Sequence, residues 1–374
     1  EIPRFCYHDR LSIAGNCRMC LVEMNNSPKP IASCAMPANE GMIIKTNTKL
    51  VKDARRGVME FLLINHPLDC PVCDQGGECD LQDQAMYYGY DKSQYYENKR
   101  AVENKNLGPL ISTIMTRCIH CTRCIRFSTE IAGVDDLGLL GRGENAEINS
   151  YLEKSVKSEL SGNLIDLCPV GALTNKPYEF QARPWELKKT ETIDIFDAVG
   201  SNIRADSIGN KILRVLPRLN EEINEEWIND KTRFAIDGLQ KQRLDKPFIR
   251  INNKLQESTW DQALEKIIFK LKKSNPDDIL ALSGNLTDVE TLTATKLFMD
   301  SIGANNYDCR IDDVMIDPNV RASYTFNTGI SNIENADSIL LIGTNPRWEA
   351  SILNARIRKS YLNKNVSIGL IGNK

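Results

Sequence analysis

From Lys49 to Ile64 the apolar residues Leu50, Ala54, Val58, Phe61 and Leu62 fall on one face of a 3.6-residue repeat, which predicts a helix. The helix should stop near Asn65, because His66 precedes Pro67 and a residue before proline is pushed out of the helical region. A second helix is predicted over Asn149 to Leu160, where Leu152, Val156 and Leu160 recur every four residues ahead of a Gly162-Asn163 stop. Between Thr190 and Arg243, Ile193, Ile195, Ile203, Ile212 and Val215 alternate with polar residues, the pattern of a small β-rich unit. After Pro247 the texture is α/β: Ile279 to Gly284 and Ser338 to Gly343 each read as a strand, a glycine turn and a following helix. The first 46 residues mix Pro, Asn and Gly with short apolar runs (Leu21 to Met24, Met42 to Ile44), which suits a loop-rich fold with short strands. Residues 89 to 109, polar and tyrosine-rich, read as a connection.

Composition narrows the function classes. The 374 residues allow two or three domains with cores of their own. A net charge of -3, with 26% charged residues, provides no basic field for nucleic acid or an anionic membrane surface. No run approaches the ~20 apolar residues that a spanning helix requires. Because residue 1 is Glu and the opening reads like the middle of a domain, the N-terminus is expected to be incomplete or processed.

Twelve cysteines change the picture most, since eleven lie within the first 168 residues, in short clusters, and only Cys309 lies beyond. Clustering of this kind points to metal rather than disulfides. Cys6, Cys17, Cys20 and Cys34 form a first group spaced C-x10-C-x2-C-x13-C. Here the C-x2-C pair Cys17 and Cys20 is expected to clamp one iron, with Cys6 and Cys34 supplying another from flanking loops. The second group, His66, Cys70, Cys73 and Cys79, lies in HPLDCPVCDQGGEC, where Gly76-Gly77 lets the chain wrap back to one centre. One imidazole among three thiolates removes negative charge and should raise a reduction potential; a lone histidine would sooner be a loop residue capping the preceding helix, but His66 sits immediately upstream of three cysteines and reads as a ligand. Cys118, Cys121 and Cys124 repeat as C-x2-C-x2-C and are joined much later by Cys168-Pro169, the bacterial-ferredoxin arrangement for a cubane. Arg117, Arg123 and Arg126 flank this group, as a solvated basic face or as tuning charges. Zinc is the competing occupant of each group, and Cys309 reads as a structural thiol.

In this order, GNCRMCLVEM, NHPLDCPVCDQGGECDLQD, RCIHCTRCIRF and LCPVGALT resemble the large (75 kDa) iron-sulfur subunit of NADH-quinone oxidoreductase, respiratory complex I, over essentially the whole chain. GTNPRWEASILNARIRKS is similar to the molybdopterin-oxidoreductase-like domain of that family. The resemblance implies ferredoxin-like α+β iron-sulfur modules at the N-terminus, then a small β-rich unit and a partial α/β domain. It implies a [2Fe-2S] module over 1–48 and [4Fe-4S] modules over 49–88 and 89–186, held by the first, second and third groups in turn. A β-rich domain without its own cluster over 187–244 and the partial molybdopterin-type domain over 245–374 follow. By the same resemblance, electrons come from NADH through FMN in a partner subunit. They pass the Cys6, Cys118 and His66 groups and leave through further subunits towards quinone, with no catalytic acid-base site in this chain.

Two departures from the family pattern matter. The extra four-cysteine cluster of some bacterial members should be absent, because no cysteine lies between Cys168 and Cys309. The chain also ends early in the molybdopterin-like domain, and no molybdenum is expected. The same missing cysteines disfavour the rival hydrogenase and formate dehydrogenase readings, and a zinc-stapled scaffold is the alternative from another class. The inner mitochondrial membrane, peripheral on the matrix side, is the expected location, with the cytoplasmic side of a bacterial plasma membrane as the alternative.

Overall fold

The computed structural model describes residues 1–284, 286–309 and 316–372. Two compact units emerge, residues 1–236 together with 329–374, and residues 237–328. The α/β stretch 245–374 is thus shared between them.

In the larger unit, β1 (Leu21–Met24) lies between β2 (Ile31–Ala32) and β3 (Ile44–Lys45) in a small antiparallel sheet. Helix α1 (Lys49–Leu63) follows directly, capped by Thr48, whose Oγ1 accepts from the Val51 N–H at 3.3 Å. It occupies the predicted span, but its inner face is one position later than the pattern indicated. Val51, Arg55 and Met59 are buried, while Leu50 and Phe61 face out. Arg55 is the reason, since its guanidinium turns inward to the carbonyls of Leu21 (3.2 Å) and Thr46 (3.3 Å) and fastens the helix to β1. Helix α2 (Asp80–Tyr88) then packs on α1.

Strand β4 (Ile111–Thr113) pairs antiparallel with β7 (Leu173–Asn175), and between them come α3 (Arg123–Arg126), a π-helical turn (Phe127–Ala132), β5 (Leu137–Leu140), β6 (Glu147–Ser150) and α4 (Asn163–Leu167). The helix predicted over Asn149 to Leu160 is not there. Its first two residues end β6, paired with β5, and Leu152 sits at φ 51 with its side chain exposed. The Val156 N–H goes to the Leu107 carbonyl instead of up its own turn, and the Ser158 hydroxyl accepts from the Leu160 N–H. Serines and asparagine in that stretch satisfy the backbone locally, which is how they compete with helix. Asn163, read as a stop, instead opens α4, its buried amide bonded to Leu160 and Ile228.

The β-rich unit is a three-stranded antiparallel sheet of β8 (Lys188–Ile193), β9 (Asn202–Ile208) and β10 (Lys211–Pro217), closed by α5 (Asp230–Phe234). Ile203, Val215 and Ile228 form its core, whereas Ile193 and Ile195 are exposed. The smaller unit carries the hairpin β11 (Phe248–Ile251) and β12 (Lys254–Glu257), helix α6 (Trp260–Leu271), and parallel β13 (Leu280–Leu282) and β14 (Asn306–Asp308) around α7 (Val289–Ser301).

Back in the larger unit, β15 (Ser338–Ile342) and β16 (Ser367–Ile371) run parallel around α8 (Pro346–Glu349) and α9 (Ser351–Lys364). Arg358 of α9 donates to the carbonyls of Thr129 (2.8 Å) and Glu130 (3.1 Å), and Arg356 to those of Ile223 and Glu221, so the end of the chain is bolted to the cysteine-bearing front. No helix among the described residues is long and apolar enough to cross a membrane.

Candidate metal centres

The first group sits on the loops around β1, with Cys6, Cys17 and Cys20 buried and Cys34 half-buried. Cys6 lies against Cys17, and Cys34 against Cys20. Arg18 takes φ 61 in the turn between Cys17 and Cys20. The Cys6 N–H donates to Cys17 Sγ at 3.4 Å. The Cys17 thiol, with the Arg126 charge as a lesser cause, holds Cys6 down at about 5, while Cys17 itself is driven upward. Burial pushes Cys34 up to about 12.

The second group lines one small cavity, walled by His66, Cys70, Cys73 and Cys79 together with Gly171 and Arg117. His66 does not use its ring to cap α1. Its Nδ1 is buried with no hydrogen-bond partner among the described residues, and burial, then the charge of Arg117, lowers its pKa to about 4. A neutral imidazole with a free nitrogen is the metal-ligating form. At Gly171 the wall comes so close that a Cβ would lie 2.2 Å from Cys73 Sγ. Arg183 fixes the loop from outside, donating to the carbonyls of Cys73 (2.6 Å) and Pro71. Arg214 of β10 pairs with Glu78 at 2.6 Å and with the fully buried Asp206 at 2.9 Å, tying the β-sheet to the residue before Cys79.

Cys118, Cys121, Cys124 and Cys168 line a second cavity, with Met115, Ile148, Val170 and Leu173 completing an apolar wall. His120 and Thr122, at φ 52 and 61, turn the chain between the cysteines. Burial pushes Cys118 and Cys168 up to about 12 and raises Cys121 and Cys124, so in the bare chain these thiols keep their protons until a metal displaces them. None of the three arginines flanking the group is solvated. Arg117 is paired with Asp69 at 3.0 Å against the His66 cavity; Arg123 donates to the carbonyls of Tyr7 (2.8 Å) and Leu167 (3.4 Å); Arg126 reaches those of Cys6 and Cys121.

The donor groups are neighbours. Cys6 and Cys17 of the first, Cys79 of the second and Cys121 of the third share one buried apolar cluster, against which Cys118 and Cys168 pack. The loop Cys168 to Ala172 lies between the second and third groups: Cys168 lines the Cys118 cavity, Gly171 abuts Cys73, and the Cys79 thiol lies 3.7 Å from the Pro169 carbonyl. On the other flank, Asn16 donates to the His120 carbonyl at 3.0 Å, beside the Arg126 link. The roles of Gly171, Arg183 and Asn16 escaped the sequence reading, although the glycine lies in the LCPVGALT run and the asparagine in GNCRMCLVEM. Cys309, expected as a structural thiol, is exposed.

Thiols and an imidazole gathered on short loops of α+β modules are the donor types of an iron-sulfur protein of ferredoxin-like build. Family models match along the chain: a 2Fe-2S iron-sulfur cluster binding domain (1–49), the NADH-ubiquinone oxidoreductase-G iron-sulfur binding region (55–94), the ferredoxin-like domain of NADH-quinone oxidoreductase subunit 3 (108–174), an NDSU1/NuoG-like 4Fe-4S domain (187–237) and molybdopterin oxidoreductase (243–374). The segment 187–237 nevertheless contains no cysteine. An NADH-quinone oxidoreductase subunit of Rickettsia bellii (strain RML369-C) is 59% identical over 96% of this chain and 52% of its own length. The mitochondrial NADH dehydrogenase [ubiquinone] iron-sulfur protein 1 of Solanum tuberosum is 58% identical over 100% and 50%. The NADH-ubiquinone oxidoreductase 75 kDa subunit of Reclinomonas americana is 56% identical over 100% and 56%. A solved chain of an NAD+-reducing [NiFe]-hydrogenase in the H2-reduced state, 29% identical, matches 49% of this chain and 78% of its own with a TM-score of 0.44, too loose a likeness to bear on function.

The chain belongs to the family of the large iron-sulfur subunit of NADH-quinone oxidoreductase, which has bacterial members and, in mitochondria, is the 75 to 78 kDa subunit. It spans about half the length of the curated relatives it matches.

Proposed function

We propose that this chain is an electron relay of respiratory complex I, carrying one [2Fe-2S] and two [4Fe-4S] centres and no molybdenum. Cys6, Cys17, Cys20 and Cys34 hold the two-iron centre in the module 1–48. His66, Cys70, Cys73 and Cys79 hold a four-iron centre in 49–88, and Cys118, Cys121, Cys124 and Cys168 the other in 89–186. The segment 187–244 has no centre of its own, and 245–374 is a partial molybdopterin-type domain. Each centre supplies one-electron chemistry, and the chain contributes ligands, a dry apolar setting and fixed neighbours.

One observation carries the reading: donors from all three groups meet in a single apolar cluster, with the Cys118 group touching both others. That contiguity supports a path from the Cys6 group through the Cys118 group to the His66 group. NADH and FMN belong to a partner subunit on the entry side, and further iron-sulfur subunits towards quinone lie on the exit side. The chain is peripheral to its membrane, on the matrix face in a mitochondrion or the cytoplasmic face in a bacterium.

Metal and acid-labile sulfide analysis of anaerobically prepared protein, with EPR spectra after dithionite, tests this. The expected result is ~10 irons per chain, the sum over one two-iron and two four-iron centres, and three reducible signals; zinc without sulfide overturns it. His66→Cys should retain iron but lower the potential of one centre, since a thiolate restores the charge that imidazole removed. An unchanged titration would remove His66 from the ligand set.

A further inference from the structure

Arg126 is the last residue of α3, two positions beyond Cys124, and only 9% exposed. Its Nη2 donates to the carbonyl of Cys6 at 2.6 Å and to that of Cys121 at 3.0 Å, so one nitrogen touches a ligand residue of the first group and one of the third. Nη1 donates to the Ser12 carbonyl at 2.5 Å, and Nε to the Thr122 hydroxyl at 3.3 Å. Every one of these acceptors is uncharged. Among the described residues no carboxylate pairs with this guanidinium, and the next acid along the chain, Glu130, is bound to the Ser12 N–H and hydroxyl. Two other buried arginines are likewise bound to carbonyls, Arg55 to those of Leu21 and Thr46 and Arg123 to those of Tyr7 and Leu167, but neither of them bonds a donor residue; Arg117 has Asp69, Arg214 has Asp206 and Glu78, and Arg233 has Asp166.

Burying a cation without an ionic partner is unfavourable by several kcal/mol. Peptide carbonyls offset part of that. Four thiolates around iron make each centre a net anion, and such anions on both sides of Arg126 would offset the rest. We propose that Arg126 is the shared counter-charge of the Cys6 and Cys118 centres, a positioning residue that raises the reduction potential of both. An electron added to either centre increases the negative charge facing the same cation, which stabilises the reduced form. Arg126 bonds no residue of the second group, whose cavity is lined instead by Arg117, paired with Asp69.

The inference rests on the cluster-binding reading, and iron and sulfide content of the unaltered chain tests that reading separately. The test of Arg126 is an EPR-monitored redox titration of the full loaded chain bearing Arg126→Gln or Arg126→Lys. With Gln, the potentials of the Cys6 and Cys118 centres are expected to move negative together while that of the His66 centre holds. With Lys, which retains the charge but places it on a shorter side chain and gives up the guanidinium's further bonds to Ser12 and Thr122, both should move by a smaller amount. Unmoved potentials overturn the proposal, as does an equal shift of all three centres, which a merely structural disturbance would give. If the Gln chain takes up less iron, the Lys chain decides alone, and wild-type values for its two centres overturn the proposal.

Discussion

Gly171 shows how a single hydrogen in place of a methyl group can decide whether a centre forms. With Cys73 Sγ 2.2 Å from where a Cβ would stand, Gly171→Ala forces apart two walls of the His66 pocket. Overpacking of this kind typically destabilises by about 1–3 kcal/mol. The expected outcome is selective loss of the His66-group EPR signal, with the other two signals retained, and unchanged spectra would refute it. The proposed donors could be read from sequence because they cluster there. Gly171 was not, because its partner lies about a hundred residues away and only the fold brings them together. Asp230 illustrates a different residue-scale effect. Its carboxylate, accepting from the Ser161 hydroxyl and the Gly162 N–H at 2.6 Å each, is raised above the usual 3.8 by burial. In the window above 3.8 the folded chain therefore holds this proton more tightly than the unfolded one, so its stability contribution is full below that pH and declines as pH rises through the folded value. Relative to Asp230→Asn, the wild-type chain should lose ground in thermal melts between pH 3.5 and neutrality. A constant difference across that range would contradict the assignment.

At the scale of elements, α1 and the region before α4 teach opposite lessons about reading helices. Both showed apolar residues at helical spacing, yet only α1 has a cap, a stretch of strong helix formers and a proline stop. The other had serines, an asparagine and a tertiary partner for its backbone in Leu107, so the four-residue spacing was incidental. Even in α1 the buried face was misread by one position, because Arg55 buries itself to reach two carbonyls that the sequence could not place. Thr48 holds the start of this helix and also donates to Glu23 of β1 at 2.6 Å. Thr48→Ala should therefore destabilise the chain by about 1 kcal/mol, the usual worth of a threonine cap. A chemical-denaturation midpoint equal to wild type would show that the cap is not needed.

Across the whole molecule, the parts between the groups matter as much as the groups. The Cys168 to Ala172 loop serves the third group with its first residue and reaches the second with its second and fourth, while Arg126 and Asn16 link the third to the first. Between the first and second groups the described residues give the apolar cluster they share and one hydrogen bond set farther from the donors, from the Gln84 amide to the Arg4 carbonyl at 3.0 Å. The Cys118 group is therefore the hub, and its loss should affect transfer differently from loss of either end. Tunnelling falls steeply with distance, so removing a terminal centre leaves one short step intact, whereas removing the middle one leaves only a long gap. Cys121→Ser, chosen to abolish the Cys118 centre, is expected to slow re-equilibration between the two remaining centres after pulsed reduction, by far more than any change in their driving force would explain. Comparable rates with and without the Cys118 centre would mean that the first and second groups exchange electrons directly, and the order of the relay would have to be redrawn.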